Sequence, residues 1–173
     1  MWVLERLRSD HVDAVLTFEI KNRAFFSATI SDRGDAYFEH FAEHHRSCLN
    51  EQDAGTCVYY VVVDESGSVL GRFNLYEIND GTAEVGYRVD ECATGHGLAT
   101  DALRSLCALA EKDLGLTTLT ARTSAENVAS QRVLEKCGFV VTGPVEVAGR
   151  MGRGYRYVVA KSVADRLSPM RLS

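Results

Sequence analysis

The spacing of apolar residues changes once between residues 83 and 110. From residue 83 to 89 every second residue is apolar, which is the pattern of a half-buried β-strand. From residue 99 to 110 the apolar residues recur every three or four positions, as on one face of an amphipathic helix. Between them lies the sequence Thr94-Gly95-His96-Gly97-Leu98-Ala99. We therefore predict a strand that leads through a glycine-containing turn to a helix N-terminus.

Similar patterns predict further strands and helices around this unit. Residues 59–63 and 70–78 alternate on either side of one turn, and a second turn at 79–81 leads into the strand at 83, so these strands should form an antiparallel meander. Residues 116–122 read as a strand that follows the helix, which requires a right-handed crossover. A last helix is predicted from Asn127, a good N-cap residue, to Phe139. The fold class is therefore mixed α/β (α+β), with a mostly antiparallel twisted sheet and flanking helices.

The remaining segments complete a single domain, which we place at residues 1–168. Residues 35–49 have the pattern of one helix, and residues 140–142 that of a strand. Gly143 and Pro144 should interrupt this strand, and residues 155–161 should form a returning strand after a mobile glycine-containing connection. The tail at residues 169–173 is expected to be disordered.

The glycine-containing turn has the chemistry of a phosphate site. The first N–H groups of a helix have no acceptor within the helix, and the helix dipole adds positive charge there. Gly95 and Gly97 have no Cβ, so the backbone can adopt positive φ and an anion can approach the main-chain donors closely. A pyrophosphate fits such a turn. A dinucleotide-binding fingerprint fits less well, because Thr100 stands where a third Gly or Ala belongs.

Two motifs carry a resemblance to a known family. Gly97 and Ala99 match a pyrophosphate motif of Gln or Arg, two residues, Gly, one residue, and Gly or Ala, although Thr94 stands at its first position. A second motif follows at Asn127, Ser130, Gly138 and Phe139. Together they resemble the GNAT superfamily of acetyl-CoA-dependent N-acetyltransferases, and within it the ribosomal-protein-alanine N-acetyltransferase branch. The resemblance extends from about Leu4 to Val159 and implies a GNAT-like acyl-CoA N-acyltransferase fold.

The resemblance also implies where acetyl-CoA binds. Pantetheine would pair with the strand edge where it separates from its neighbour, and the pyrophosphate would meet the main-chain N–H groups of the glycine turn. Asn127 would hold the coenzyme or an ordered water. The coenzyme-binding residues implied in this way are Tyr87, Arg88, Val89, Thr94, Gly95, His96, Gly97, Leu98, Ala99, Thr100 and Asn127.

Transfer of the acetyl group needs a neutral amine, a stabilised oxyanion and a proton for the departing thiolate. By resemblance, Ser130 lies near the thioester sulfur and would pass that proton. Arg122 and Leu134 stand where a related branch has its Glu and Tyr, so Glu84 is the remaining candidate for the general base. Glu84 is equally suited to pair with an arginine on a neighbouring strand.

Composition limits the classes of partner. A net charge of −5 argues against general nucleic-acid binding, and weakly favours a cationic substrate. An apolar run of membrane length and a signal-peptide pattern are both absent from the sequence, so we expect a cytoplasmic protein without membrane contact. The five cysteines form no C-x-x-C pair and are expected to be reduced, and no metal is expected. A homodimer is left open.

The amine acceptor is narrowed by its pKa. A terminal α-amine has a pKa about 2.5 units below that of lysine, so presenting it neutral costs roughly 3.4 kcal/mol less. A site without an assured strong base therefore favours an N-terminal α-amine of a protein or peptide. Small amines such as polyamines, amino sugars or antibiotics remain an alternative, as does a non-catalytic acyl-CoA-binding module.

Overall fold

The computed structural model describes residues 1–159. From residue 58 to residue 139 its strands and helices follow the predicted order, and two short 3₁₀ turns lie at Ser9–His11 and Glu91–Ala93. The strands are β1 (Trp2–Arg6), β2 (Val58–Asp64), β3 (Val69–Asn79), β4 (Thr82–Val89), β5 (Thr118–Ser124), β6 (Val140–Val147) and β7 (Arg150–Val158). The helices are α1 (Val12–Lys21), α2 (Arg23–Ser27), α3 (Asp35–Glu39), α4 (Phe41–Ala54), α5 (Leu98–Leu114) and α6 (Val128–Lys136).

Within the described residues, the strands form one seven-stranded sheet in the order β1-β2-β3-β4-β5-β7-β6. Strands β2, β3 and β4 are the antiparallel meander that the alternation predicts, and β4 and β5 are parallel neighbours joined through α5. The other pairs, β1 with β2, β5 with β7 and β6 with β7, are antiparallel. The prediction of a mixed, mostly antiparallel sheet is confirmed.

Helices cover both faces of the sheet, because successive side chains of a strand point to opposite faces. Val58, Tyr60 and Val62 of β2 belong to the same buried cluster as the apolar face of α5. Tyr59 and Val61 point the other way and pack with residues of α1, α2 and α4. The sheet thus lies between two apolar layers, and the loops at the ends of its central strands are left free to form a site.

The two central parallel strands separate after a short pairing. The register between β4 and β5 runs from Thr82 opposite Thr118 to Val85 opposite Ala121, and ends there. Beyond this point β4 continues to pair only with β3, and β5 only with β7. A wedge-shaped gap therefore opens beside residues 86–89 of β4, as the resemblance implies.

The structure differs from the sequence prediction in two segments. Residues 35–49 form parts of two helices instead of one, because the chain turns at His40 and continues as α4. The apolar spacing is similar before and after this turn, so the pattern contained no sign of the break. The turn places Phe41 in the core, where its ring meets the edge of Tyr37 at a centroid distance of 5.5 Å.

The second difference concerns the C-terminal hairpin. Strand β6 continues through Gly143 and Pro144, where a register shift absorbs the irregularity instead of a break. Gly152 lies inside β7, where it pairs with Ser124, and not in a mobile connection. A Cβ at this position would come within 2.5 Å of the carbonyl oxygen of Thr123. A glycine here thus marks close packing of strands. The predicted tail at 169–173, and the part of the domain after residue 159, lie outside the described residues.

Candidate active site

The exposed edge of β4 offers main-chain groups to the gap. The N–H of Asp90 donates to the carbonyl of Leu70, so it points toward β3. Because main-chain groups alternate in direction along an antiparallel strand, those of Tyr87 and Val89 point away from β3. They face the gap where β5 has separated. This edge can pair with an extended chain that carries amides.

The glycine turn ends this edge and begins α5. Gly95 and Gly97 have φ values of +76° and +80°, and Gly97 is the N-cap residue of the helix. The main-chain N–H groups of residues 95–100 have no backbone acceptor among the described residues, whereas the N–H of Asp101 donates to the carbonyl of Gly97. The turn therefore presents a row of unpaired donors at the positive end of a 17-residue helix.

A buried aspartate fixes the segment between β4 and the glycine turn. Asp90 accepts hydrogen bonds from the Lys21 ammonium at 2.8 Å, the Asn22 amide at 3.2 Å and the main-chain N–H of Cys92 at 2.8 Å. Burial alone would raise the pKa of Asp90, but these donors outweigh it and lower that pKa. Asn22 also accepts from the N–H of Glu91. The end of α1 thus holds the approach to the turn in place.

A groove of about 370 Å³ runs from the strand edge to the glycine turn. Its walls come from β4, the turn, the N-terminus of α5, and one face of α6. Among the predicted coenzyme-binding residues, all except His96 line it: Tyr87, Arg88, Val89, Thr94, Gly95, Gly97, Leu98, Ala99, Thr100 and Asn127. The side chain of His96 is exposed and does not line the groove. Thr94 donates its hydroxyl to the carbonyl of Glu91 at 2.7 Å.

The groove also contains residues that the sequence motifs did not indicate. Arg132 and Lys136 lie one helical turn apart on α6 and bring two cations to the groove. Residues four positions apart lie on the same face of a helix, so the sequence alone could have indicated that this face of α6 carries two cations. Phe25 and Phe26 form another part of the wall, and of the two only Phe26 also belongs to the core, since Phe25 is exposed.

A second cavity of about 270 Å³ lies on the other side of the gap. It is enclosed by α2 and the loop that follows it, the diverging parts of β4 and β5, and the hairpin between β6 and β7. The groove and this second cavity share five lining residues: Thr29, Ile30, Tyr87, Asn127 and Ser130. The two spaces therefore meet at the gap.

Tyr87 and Ser130 form a hydrogen-bonded pair at this junction. The Tyr87 hydroxyl lies 3.0 Å from Ser130 Oγ and donates to the Ser130 carbonyl at 3.2 Å. Burial raises the pKa of Tyr87 to about 12, so the phenol keeps its proton at neutral pH. The ring stacks on Phe73 at 5.2 Å, and the side chain of Asn127 accepts from the main-chain N–H of Ser130. The pair is thus held rigidly and can supply a proton.

Arg88 lines the groove, but its charge is engaged by a buried carboxylate. Glu19 of α1 accepts from Arg72 at 2.8 Å through one oxygen and from Arg88 at 3.0 Å through the other. Burial alone would raise the pKa of Glu19, but the two guanidinium groups outweigh it and lower that pKa. The guanidinium of Arg88 also lies over the ring of Phe26, at 4.7 Å. This ion triad joins α1 to β3 and β4 beside the gap.

Glu84 is not brought together with Tyr87 and Ser130. Its carboxylate accepts from Arg122 at 2.9 and 3.2 Å, and within the described part of the chain neither the groove nor the second cavity is lined by Glu84. Arg122, which stands at the aligned position of a glutamate in a related branch, lines the second cavity. The geometry favours the ion pair that the sequence left open, and a role for Glu84 as general base stays a prediction.

We expect Glu84→Gln to leave the pH dependence of acetyl transfer unchanged and to alter the rate by less than about threefold, which is the effect of losing one partly exposed ion pair. Initial rates with a peptide acceptor between pH 6 and 9 measure this. Loss of the acidic limb of the profile in the variant would instead identify Glu84 as the base.

The remaining sequence predictions concern the cysteines, metal binding and membrane spans. The cysteines are free, and Cys92 is exposed and does not line the groove. Between residues 1 and 159, His, Cys, Asp and Glu side chains do not gather into a group that could hold a metal ion. Within the same residues, the helices are all too short or too polar to cross a membrane.

Comparison with known proteins agrees with this architecture. Residues 2–140 match a family model described as the acetyltransferase (GNAT) domain. Among curated proteins, the chain is 28% identical over 133 residues to the probable N-acetyltransferase YjcK of Bacillus subtilis (strain 168), with 72% of each chain covered.

Two solved structures share the fold. The ribosomal-protein-S5-alanine acetyltransferase from Vibrio fischeri superposes with a TM-score of 0.85 at 19% identity, covering 91% of this chain and 93% of that one. The spermidine N-acetyltransferase from Vibrio cholerae, in complex with CoA and spermine, superposes with a TM-score of 0.75 at 19% identity, covering 91% and 95%. These likenesses confirm the predicted fold. The two proteins are named for different acceptors, a ribosomal-protein alanine in one and spermidine in the other.

Proposed function

Because the chain belongs to the GNAT family of acetyl-CoA-dependent N-acetyltransferases, we propose that it transfers the acetyl group to the N-terminal α-amine of a protein or peptide. The observation that carries this proposal is the junction at Tyr87 and Ser130. There the groove meets the second cavity beside the unpaired edge of β4. The acetyl donor occupies the groove, the acceptor enters from the second cavity, and the two reactants meet at the junction.

Each part of the coenzyme has a counterpart in the groove. The amides of pantetheine pair with the main-chain groups of Tyr87 and Val89, which face the gap. The pyrophosphate accepts from the N–H groups of residues 95–100, where the helix dipole adds a favourable field. The cations of Arg132 and Lys136 lie within the same groove and add to the attraction for phosphate.

The reaction is a direct attack on the thioester. The nitrogen lone pair of the neutral amine forms the C–N bond, and the carbonyl π electrons move to oxygen, where a main-chain N–H near Val89 stabilises the charge. When the carbonyl reforms, the C–S bond breaks and the electron pair leaves with sulfur. Ser130 passes a proton to this thiolate and takes one from Tyr87, and the extra proton that the nitrogen releases to water is returned from water to Tyr87. The products are the acetylated amine and CoA.

The charge of the lining residues favours an α-amine over a polyamine. Within the described residues, the groove and the second cavity have no aspartate or glutamate in their walls. A polyamine would bring additional ammonium groups into this space without a carboxylate to pair with them, and a buried unpaired charge is costly. An N-terminal α-amine becomes neutral at lower pH than a side-chain amine and leaves no second charge behind.

Release of free thiol from acetyl-CoA, measured against peptides with free N-termini and against polyamines and amino sugars, tests the proposal. We expect release with the peptides and little with N-terminally blocked versions of the same peptides. Release with a small amine alone would replace the proposed acceptor class. If no amine causes thiol release while calorimetry still shows acetyl-CoA binding, the result would favour a non-catalytic acyl-CoA-binding module.

A further inference from the structure

A third cavity adjoins the second one on the α1 side of the sheet. It has a volume of about 180 Å³ and shares Ile30, Gly86 and Tyr87 with the second cavity. Its other walls are Arg33, Arg72, Asn74, Tyr76 and Arg88. We call it the arginine subsite. None of these residues, apart from Tyr87 and Arg88, was assigned a role by the sequence motifs.

The arginine subsite has an excess of positive charge. Three guanidinium groups line it, and within the described chain no carboxylate does. Glu19 lies behind the wall and pairs with both Arg72 and Arg88, so one negative charge is shared between two positive ones. Arg33 is exposed and lies over the ring of Tyr37 at 4.8 Å, without an ion pair to any described residue. The subsite therefore attracts an anionic group, opposite to the weak preference that the net charge of the chain suggests.

The subsite also contains an unused hydrogen-bond acceptor. Asn74 is 6% exposed, and its Nδ2 donates to the Tyr76 hydroxyl at 2.8 Å. Its Oδ1 is buried and has no hydrogen-bond partner among the described residues. A buried acceptor without a donor is unfavourable, so this oxygen favours a ligand that brings an N–H or O–H group.

The position of the subsite relates it to the reacting amine. Asn74 and Gly86 are register partners on β3 and β4, so their Cα atoms lie about 5.5 Å apart, and Tyr87 follows directly. Tyr76 covers Gly86, where an added Cβ would come within 2.8 Å of its ring. The subsite meets the second cavity at Ile30, Gly86 and Tyr87, so a group bound there lies beside the strand residue that precedes Tyr87, on the opposite face of the sheet from the Tyr87 hydroxyl.

We propose that the arginine subsite selects acceptors that carry a carboxylate on the first or second residue from the reacting amine, together with a donor for Asn74 Oδ1. This inference rests on the proposed function and names the acceptor class more closely. The carboxylate pairs with Arg33 and with the partly neutralised Arg88, and a peptide N–H next to it reaches Asn74. Three sources of carboxylate are compared: the side chain of a first acidic residue, that of a second one, and the free α-carboxylate of an amino acid, which brings the charge without a peptide N–H.

Matched acceptor pairs distinguish these sources. The pairs are Asp-Ala-Ala-amide with Asn-Ala-Ala-amide, Ala-Asp-Ala-amide with Ala-Asn-Ala-amide, and alanine with alaninamide. Calorimetric titration into the protein saturated with CoA, which has no acetyl group to transfer, measures acceptor binding without turnover. We expect at least one acidic member to bind about tenfold more tightly than its neutral partner, as for one charge-assisted hydrogen bond.

Two variants and a control connect this preference to the subsite. Arg33→Gln removes an exposed charge and should reduce the preference to about threefold or less. Asn74→Asp keeps the shape of the side chain but adds a negative charge, and should abolish the preference. Arg46→Gln, on the exposed face of α4, should leave it unchanged.

Equal binding within all three pairs, or a preference that Arg33→Gln does not reduce, would overturn the subsite. The proposed function is judged separately by thiol release with acetyl-CoA. Thiol release without any preference for acidic acceptors would rule out the subsite proposal but not the proposed function. Tighter binding of acidic acceptors without thiol release from acetyl-CoA with any acceptor would rule out the N-terminal acetyltransferase function but not the anion-binding subsite.

Discussion

Gly97→Val is expected to weaken acetyl-CoA binding by about 100-fold or more. At φ +80° the backbone is in a region that a β-branched residue rarely adopts, and the new side chain would stand where the phosphate approaches the N–H groups of the turn. Loss of one or two charge-assisted hydrogen bonds at about 1.5–3 kcal/mol each corresponds to this change in affinity. Isothermal titration with acetyl-CoA measures it.

The matched control is Gly67→Val. Gly67 has almost the same φ, +83°, but lies in the turn between β2 and β3, which does not contribute to the groove. It carries the same kind of backbone strain, so it separates loss of the anion site from loss of stability. If both variants bind acetyl-CoA as tightly as the parent, or are weakened equally, the glycine turn is not the phosphate site.

Tyr87→Phe and Ser130→Ala are each expected to lower kcat by about 100-fold while the affinity for acetyl-CoA changes by less than about threefold. The reason is that the pair is half-buried at the junction, hydrogen-bonded at 3.0 Å, and protonated at neutral pH because desolvation raises the pKa of Tyr87 to about 12. Loss of a positioned proton donor costs about 10²–10⁴ in rate. Steady-state kinetics combined with titration of acetyl-CoA separates the two quantities.

The double variant tests whether the two hydroxyls act as one relay. If they do, removing both should cost little more than removing either, because the path is already broken. Ser105→Ala is the control, since Ser105 also carries a helical hydroxyl, which donates to the carbonyl of Asp101, and lies outside the groove. Single variants with the parent kcat would show that the thiolate obtains its proton elsewhere.

Much of the fold could be predicted because its elements have regular local patterns. The alternation at 83–89 and the helical spacing at 99–110 correspond to β4 and α5, whose apolar faces lie in the main core. Where a local pattern was ambiguous, the prediction was wrong. Pro144 and Gly152 indicate a loop by residue type, yet a register shift and close strand packing keep them in β6 and β7.

The candidate site could be predicted only as far as its residues are near in sequence. The glycine turn is one continuous segment, so its place at a helix N-terminus could be predicted from the local sequence. The pairing of Tyr87 with Ser130 joins residues 43 positions apart, and that of Glu19 with Arg72 joins residues 53 apart. Such contacts depend on the stacking of α1 and α6 on the sheet. For the same reason, the sequence could not decide whether Glu84 faces the acceptor or Arg122.

In the proposed arrangement, the layout of the two spaces separates recognition of the donor from recognition of the acceptor. Among residues 1–159 only five line both, and the diverging end of β5 and the β6–β7 hairpin contribute to the second cavity and not to the groove. Substitutions in those segments can change which amine is accepted while the coenzyme contacts stay the same. In this arrangement, acceptor specificity can change during evolution while acetyl-CoA binding is retained, because a new specificity does not require new coenzyme contacts.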